Sequence, residues 1–146
     1  MTQKRRGFAA DTKVPVVQTR GEIENTLTRY GASAFAFAID ARHARIMFEH
    51  SERRVRFDLP LPEGTDAKTE REKRRLWRAL LLCLKARLEG VDSGIESFEE
   101  AFLAHVIMPD GQTVAEHTIP TIATAYKSGK VQPLLPPPFE SKGAIK

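Results

Sequence analysis

The sequence predicts an α+β fold: a three-stranded antiparallel meander packed by a long helix, with an N-terminal helix and additional short C-terminal helices. Three observations carry that expectation. Alternation of period two runs through consecutive segments between residues 34 and 59, as half-buried strands require. A single long stretch after them repeats its apolar residues at helical spacing. Capping boxes, in which a Ser or Thr and the Glu three residues on satisfy orphan amide donors, mark helix starts on both sides. The expected organisation is a flexible basic arm over 1–18, one domain over 19–130 and a proline-rich tail over 131–146.

The first helix is expected to start at Thr19, where Thr19-Arg20-Gly21-Glu22 fits a capping box. Ile23, Leu27 and Tyr30 mark its apolar face, and Gly31 suits its left-handed stop. In the first strand, Ala34 to Ile39, Phe35, Phe37 and Ile39 point one way and the alanines the other. In Ala44 to His50, Ile46 and Phe48 face the core while Arg45, Met47 and Glu49 face away. In Arg53 to Leu59, Val55, Phe57 and Leu59 face in while Arg54, Arg56 and Asp58 face out. The connections at Asp40–His43 and Ser51–Glu52 are short enough for hairpins, and Pro60 and Pro62 end the sheet.

The long helix is expected over Thr69 to Glu89, opened by Thr69-Glu70-Arg71-Glu72 and stopped at Gly90. Trp77, Leu80, Leu81, Leu84 and Leu88 form its stripe, which Leu76 and Cys83 widen. A further helix starts at Ser97. Val106 to Met108 reads either as the end of that helix or as a short strand entering the Pro109-Asp110-Gly111 turn. Thr113 to Glu116 is another capping box, Pro120 suits the first turn of a last helix, and Gly129 its end. The tail, with Pro136, Pro137 and Pro138, reads as extended.

Several function classes lack support in the residues. The longest apolar run, Ala79 to Leu84, is far short of the ~20 residues of a membrane span. The basic N-terminus is followed by no apolar region, so it does not read as a secretory signal. Cys83, the only cysteine, reads as a small buried hydrophobe. No phosphate-binding glycine loop, serine-hydrolase elbow or zinc spacing occurs, so no cofactor, metal or catalytic residue is expected and the chain does not read as an enzyme. His105 and His117 flank the Pro-Asp-Gly turn near Glu100 and Glu116, without the spacing of a metal or acid–base site.

Charge points elsewhere. The net charge is +4, but the stretch from Arg87 to Glu116 carries seven acidic residues and one basic residue, Arg87, which suggests one basic and one acidic surface. Arg45, Arg54 and Arg56 project from one face of the meander, and Arg71, Arg74, Arg75 and Arg78 open the long helix with Lys73. Lys4, Arg5 and Arg6 add to them. Guanidinium forks match phosphate oxygens, so these seven arginines are the candidate nucleic-acid contacts, with single-stranded DNA ahead of duplex. A solvated face reads from the same residues, because Glu49, Glu52, Glu70 and Glu72 are interleaved and the aromatics fall on core faces. The alternative is an interaction protein that binds a protein partner through the acidic segment or through Leu134-Leu135-Pro136-Pro137-Pro138-Phe139.

The stretches RGEIENTLTRYGASAF, RRVRFDLPLP, LWRALLLCLKARLEGVDSGIESFEEAFLAHVIMPDGQTV and LLPPP resemble a family of uncharacterised proteins of tailed bacteriophages and prophages. The resemblance implies a phage origin, a bacterial cytoplasm and a role in replication, recombination or control of the host. The order helix, meander, long helix is also similar to single-strand annealing proteins, which hold stretched DNA in a basic groove and assemble as rings. That likeness of topology implies a possible homo-oligomer and transfers no residue.

Overall fold

A computed structural model describes residues 7–137 of the chain. Its elements run α1 (Val16–Arg29), β1 (Ala34–Ile39), β2 (His43–His50), β3 (Arg53–Pro60), α2 (Ala67–Asp92), α3 (Phe98–Phe102), a short 3-10 turn (Leu103–His105) and α4 (Val114–Ser128). The three strands form an antiparallel sheet in the order β1-β2-β3, so the expected α+β class and meander are observed.

The core lies between one face of that sheet and α1, α2 and α3. Ile46 and Phe48 of β2 and Val55 and Phe57 of β3 are buried, as period two requires. Trp77, Leu80, Leu81, Leu84 and Leu88 bury the whole expected stripe of α2 against them. Phe102 of α3 meets Phe48 and Phe57 edge-on, with ring centroids 5.7 Å and 6.1 Å apart. Burying a side chain of this size contributes about 1.5–3 kcal/mol, so these residues carry most of the fold's stability. Edge strand β1 is covered less. Phe37 packs on Trp77, while Phe35 and Ile39 stay 40% and 47% exposed.

Two helix starts differ from expectation, and in both a different residue supplies the boundary. Helix α1 begins a turn early, at Val16 after Pro15, and Thr19 lies inside it on the buried face with Ile23, Thr26 and Leu27. Thr19 is therefore not a cap. Its hydroxyl accepts a hydrogen bond from Arg78 Nη1 at 3.5 Å. Helix α2 begins at Ala67 because Asp66 caps it, accepting from the Thr69 N–H at 2.7 Å. Aspartate caps at least as well as threonine, so the earlier residue wins. At its other end α2 continues past Gly90 to Asp92, and Gly94 takes the left-handed conformation with φ 74°.

Cys83 is exposed, which corrects its expected burial. The reason is angular: at 100° per residue it points about 115° from the centre of the Trp77–Leu88 stripe. The boxes at Ser97 and Thr113 form with both reciprocal hydrogen bonds, and Gly129 ends α4 with φ 70°. Because α4 starts at Val114, Pro120 sits within the helix and not in its first turn. Val106 and Ile107 resolve as a strand-like segment. Val106 bridges Val55, Ile107 bridges Thr113, and the Ile107 N–H donates to Arg54 O at 2.8 Å.

Candidate nucleic-acid interface

The seven arginines separate into two groups on two layers. Arg45, Arg54 and Arg56 alternate with core residues on β2 and β3, so they belong to the sheet face turned away from the core. Arg71, Arg74, Arg75 and Arg78 stand on α2, whose leucines pack the opposite sheet face. The sheet itself lies between the two groups.

On the sheet, register brings one of the three cations, Arg45, to a carboxylate across the strands. Arg45 stands directly opposite Asp58 and donates to it from Nε at 2.8 Å. Arg56 donates from Nε to the same carboxylate at 3.2 Å, from Nη1 to Gly111 O at 3.3 Å, and from Nη2 to Glu116. These contacts leave Arg56 only 9% exposed. Arg56 thus keeps the expected strand face, but its guanidinium is enclosed there and not open to solvent. Its guanidinium ties β3 to the start of α4. Glu116 also closes the Thr113 capping box, and the Thr113 N–H, with the hydroxyl and Arg56 adding to it, holds its carboxyl below the usual glutamate range. Arg54 is exposed, opposite Glu49, and has no ion pair among the described residues. It edges a shallow depression floored by Ala34, Ala36 and Met47.

On α2 the acidic neighbours take some cations and leave others. Glu72 holds Arg75 through a bidentate contact, Glu22 of α1 pairs with Arg78, and Glu70 lies 3.4 Å from Lys73. Arg74 reaches back to Thr12 O at 3.4 Å. Lys68 and Arg71 are exposed and form no ion pair among the described residues. Sequence reading passed over Lys68, although it precedes Arg71 by three residues and so shares its helix side. Lys68, Arg71, Arg75 and Arg78 make one stripe about 15 Å long at 1.5 Å per residue. Gly7 lies beside its middle: a Cβ there would stand 3.0 Å from Arg75 Nη1. Lys4, Arg5 and Arg6 are outside the described residues.

The histidines go to separate structural tasks. His105 stacks on Phe57 at 3.9 Å, where burial, and then the Arg87 charge, pushes its pKa down. His117 Nε2 lies 2.7 Å from Asp110 Oδ2. His50 contacts Tyr30 O at 2.8 Å through Nε2 and stacks on Phe98. No group of three or more His, Cys, Asp or Glu that could hold a metal occurs among the described residues. No described helix is long and apolar enough to cross a membrane.

The tail leucines, Leu134 and Leu135, line an apolar groove with Leu103, Val106, Met108 and Ile122. They thus lie on the parent domain while remaining 44% and 43% exposed. Pro138 and Phe139 of the tail motif are outside the described residues. Compared with known proteins, the chain matches no family model, and no curated protein or solved structure is significantly similar to it.

Proposed function

We propose that the chain binds nucleic acid along the first half of α2, with single-stranded DNA as the favoured ligand. The observation that carries this reading is the α2 stripe, on which Lys68 and Arg71 remain exposed and without an ion pair among the described residues. Free cations at helical spacing suit the phosphates of one backbone, and each one engaged releases condensed counterions. A single narrow stripe favours one strand over two. Arg54 is a separate, weaker candidate on the other layer, and Arg45 and Arg56 drop out of the contact set because Asp58 and Glu116 hold them. In the phage setting that the sequence resemblance implies, such binding serves replication or recombination.

Fluorescence anisotropy with a labelled single-stranded oligonucleotide tests the reading. Binding should weaken steeply with salt and weaken further in Lys68→Ala with Arg71→Ala. No binding at low ionic strength, or binding indifferent to that double substitution, rejects it.

A second reading, an interaction protein, draws on α4. That helix has no buried side chain, and Ile119 and Tyr126 are 62% and 89% exposed. A protein partner that survives nuclease treatment and is lost on Ile119→Ser with Tyr126→Ser would favour this reading over the first.

A further inference from the structure

The two edges of the sheet are finished differently. At the β3 edge, Ile107 donates to Arg54 O, Val106 bridges Val55, and charged residues alternate along the strand up to Pro60. Such coverage, charge and proline are the usual means by which a sheet edge avoids pairing. At the β1 edge none of these occurs among the described residues. The strand Ala34–Ile39 reads AFAFAI, without charge or proline, and among the described residues it pairs only with β2.

The direction of its backbone groups follows from the register. The Asp40 N–H donates to His43 O, and the Leu61 N–H donates to Arg42 O. Hydrogen bonding in antiparallel strands alternates residue by residue. Even-numbered residues of β1 therefore bond to β2, and the N–H and C=O groups of Phe35, Phe37 and Ile39 point to the open edge. The side chains of Phe35 and Ile39 lie on the core side of the sheet yet remain 40% and 47% exposed.

We propose that β1 is a self-pairing edge, through which two copies of this chain join antiparallel about a two-fold axis at Phe37. That register alone places Phe37 opposite Phe37 of the second copy and Phe35 opposite Ile39, so that every outward N–H and C=O of the three residues finds a partner. It also sets Ala36 opposite Ala38 on the outer face. Large side chains then meet large ones, and small meet small, on both faces. The identity of the strand with its own best partner favours a second copy over a foreign strand, because a two-fold contact makes each off-axis pairing twice. The product is one continuous sheet with both β1 strands at its centre and the protected β3 edges outside.

Light scattering on the full chain over a concentration series, with circular dichroism to check folding, tests the proposal. The wild type should show the mass of a dimer. Phe35→Lys with Ile39→Lys sets lysine opposite lysine in this register and should return the mass to that of a folded monomer. Phe35→Lys with Ile39→Glu sets lysine opposite glutamate and should restore the dimer. A wild type that is monomeric at roughly 100 μM, a concentration that would populate even a weak micromolar dimer, overturns the proposal. So does a Lys/Lys variant that remains dimeric, or a folded Lys/Glu variant that stays monomeric.

Discussion

Arg45 and Arg56 on the sheet share one carboxylate, Asp58, whereas Lys68 and Arg71 on α2 have no ion pair among the described residues. The two regions have the same kind of cation and different architecture around it. A sheet places cross-strand neighbours directly opposite, which gives Arg45 its Asp58, whereas Arg56 faces Met47 and takes its carboxylates from Asp58 two residues on and from Glu116 of α4. A helix presents residues at three and four positions away, and the glutamates at 70 and 72 reach Lys73 and Arg75. Net positive charge therefore says little about binding until the carboxylates are placed.

The largest expected effect breaks the sheet side of that contrast. Arg56→Ala should lower stability by about 2 kcal/mol, since it removes a mostly buried guanidinium and its charged hydrogen bonds, and chemical denaturation should show it. Oligonucleotide affinity of the folded fraction should not change. The next sharpens the helix side. Lys68→Ala with Arg71→Ala should make the slope of log affinity against log salt shallower by about 1.4, at roughly 0.7 per phosphate contact on a single strand. Its midpoint of unfolding should barely move.

Acid should then act on β3 through its contacts at Phe57 and at Arg56. The pKa of His105 is lowered in the fold, so the unfolded chain binds its proton first and stability falls as pH drops below the ordinary histidine value. His105→Phe should flatten that part of the stability profile. The carboxyl of Glu116 is also held low, so its contribution is present above the ordinary glutamate pKa and is lost as pH falls through the lowered one. Glu116→Gln should flatten this second, more acidic part. The smallest effect belongs to Arg45→Ala. Its partner Asp58 is 43% exposed, and such pairs contribute about 0–1 kcal/mol.

Much of the fold was legible in the sequence because its signals are local. Alternation gave β2 and β3 their buried faces, and the spacing of Trp77 to Leu88 marked the buried stripe of α2. The same local rule misplaced two helix starts, since Thr19 and Thr69 each sit near an earlier residue that opens the helix. The site was less legible. The Arg45–Asp58 pair follows from the hairpin register once the Ser51–Glu52 turn is fixed. The enclosure of Arg56 does not, because Gly111 and Glu116 lie 55 and 60 residues further along the chain. The Thr113–Glu116 capping box was visible, but it pointed to a helix start and not to an arginine on a distant strand.

Helix α4 has a consequence for how the molecule opens. It contributes no buried side chain, and its beginning is tied to the sheet by Arg56–Glu116 and by the Val106 and Ile107 bridges. Segments with few buried apolar contacts form the low free-energy end of native fluctuations. Residues 114–128 should therefore exchange their amide hydrogens well before the α2 core does. Because the tie includes an ion pair, salt and acid should lower the protection factors of α4, taken relative to the intrinsic exchange rate at each pH, while leaving the Trp77–Leu88 stripe protected.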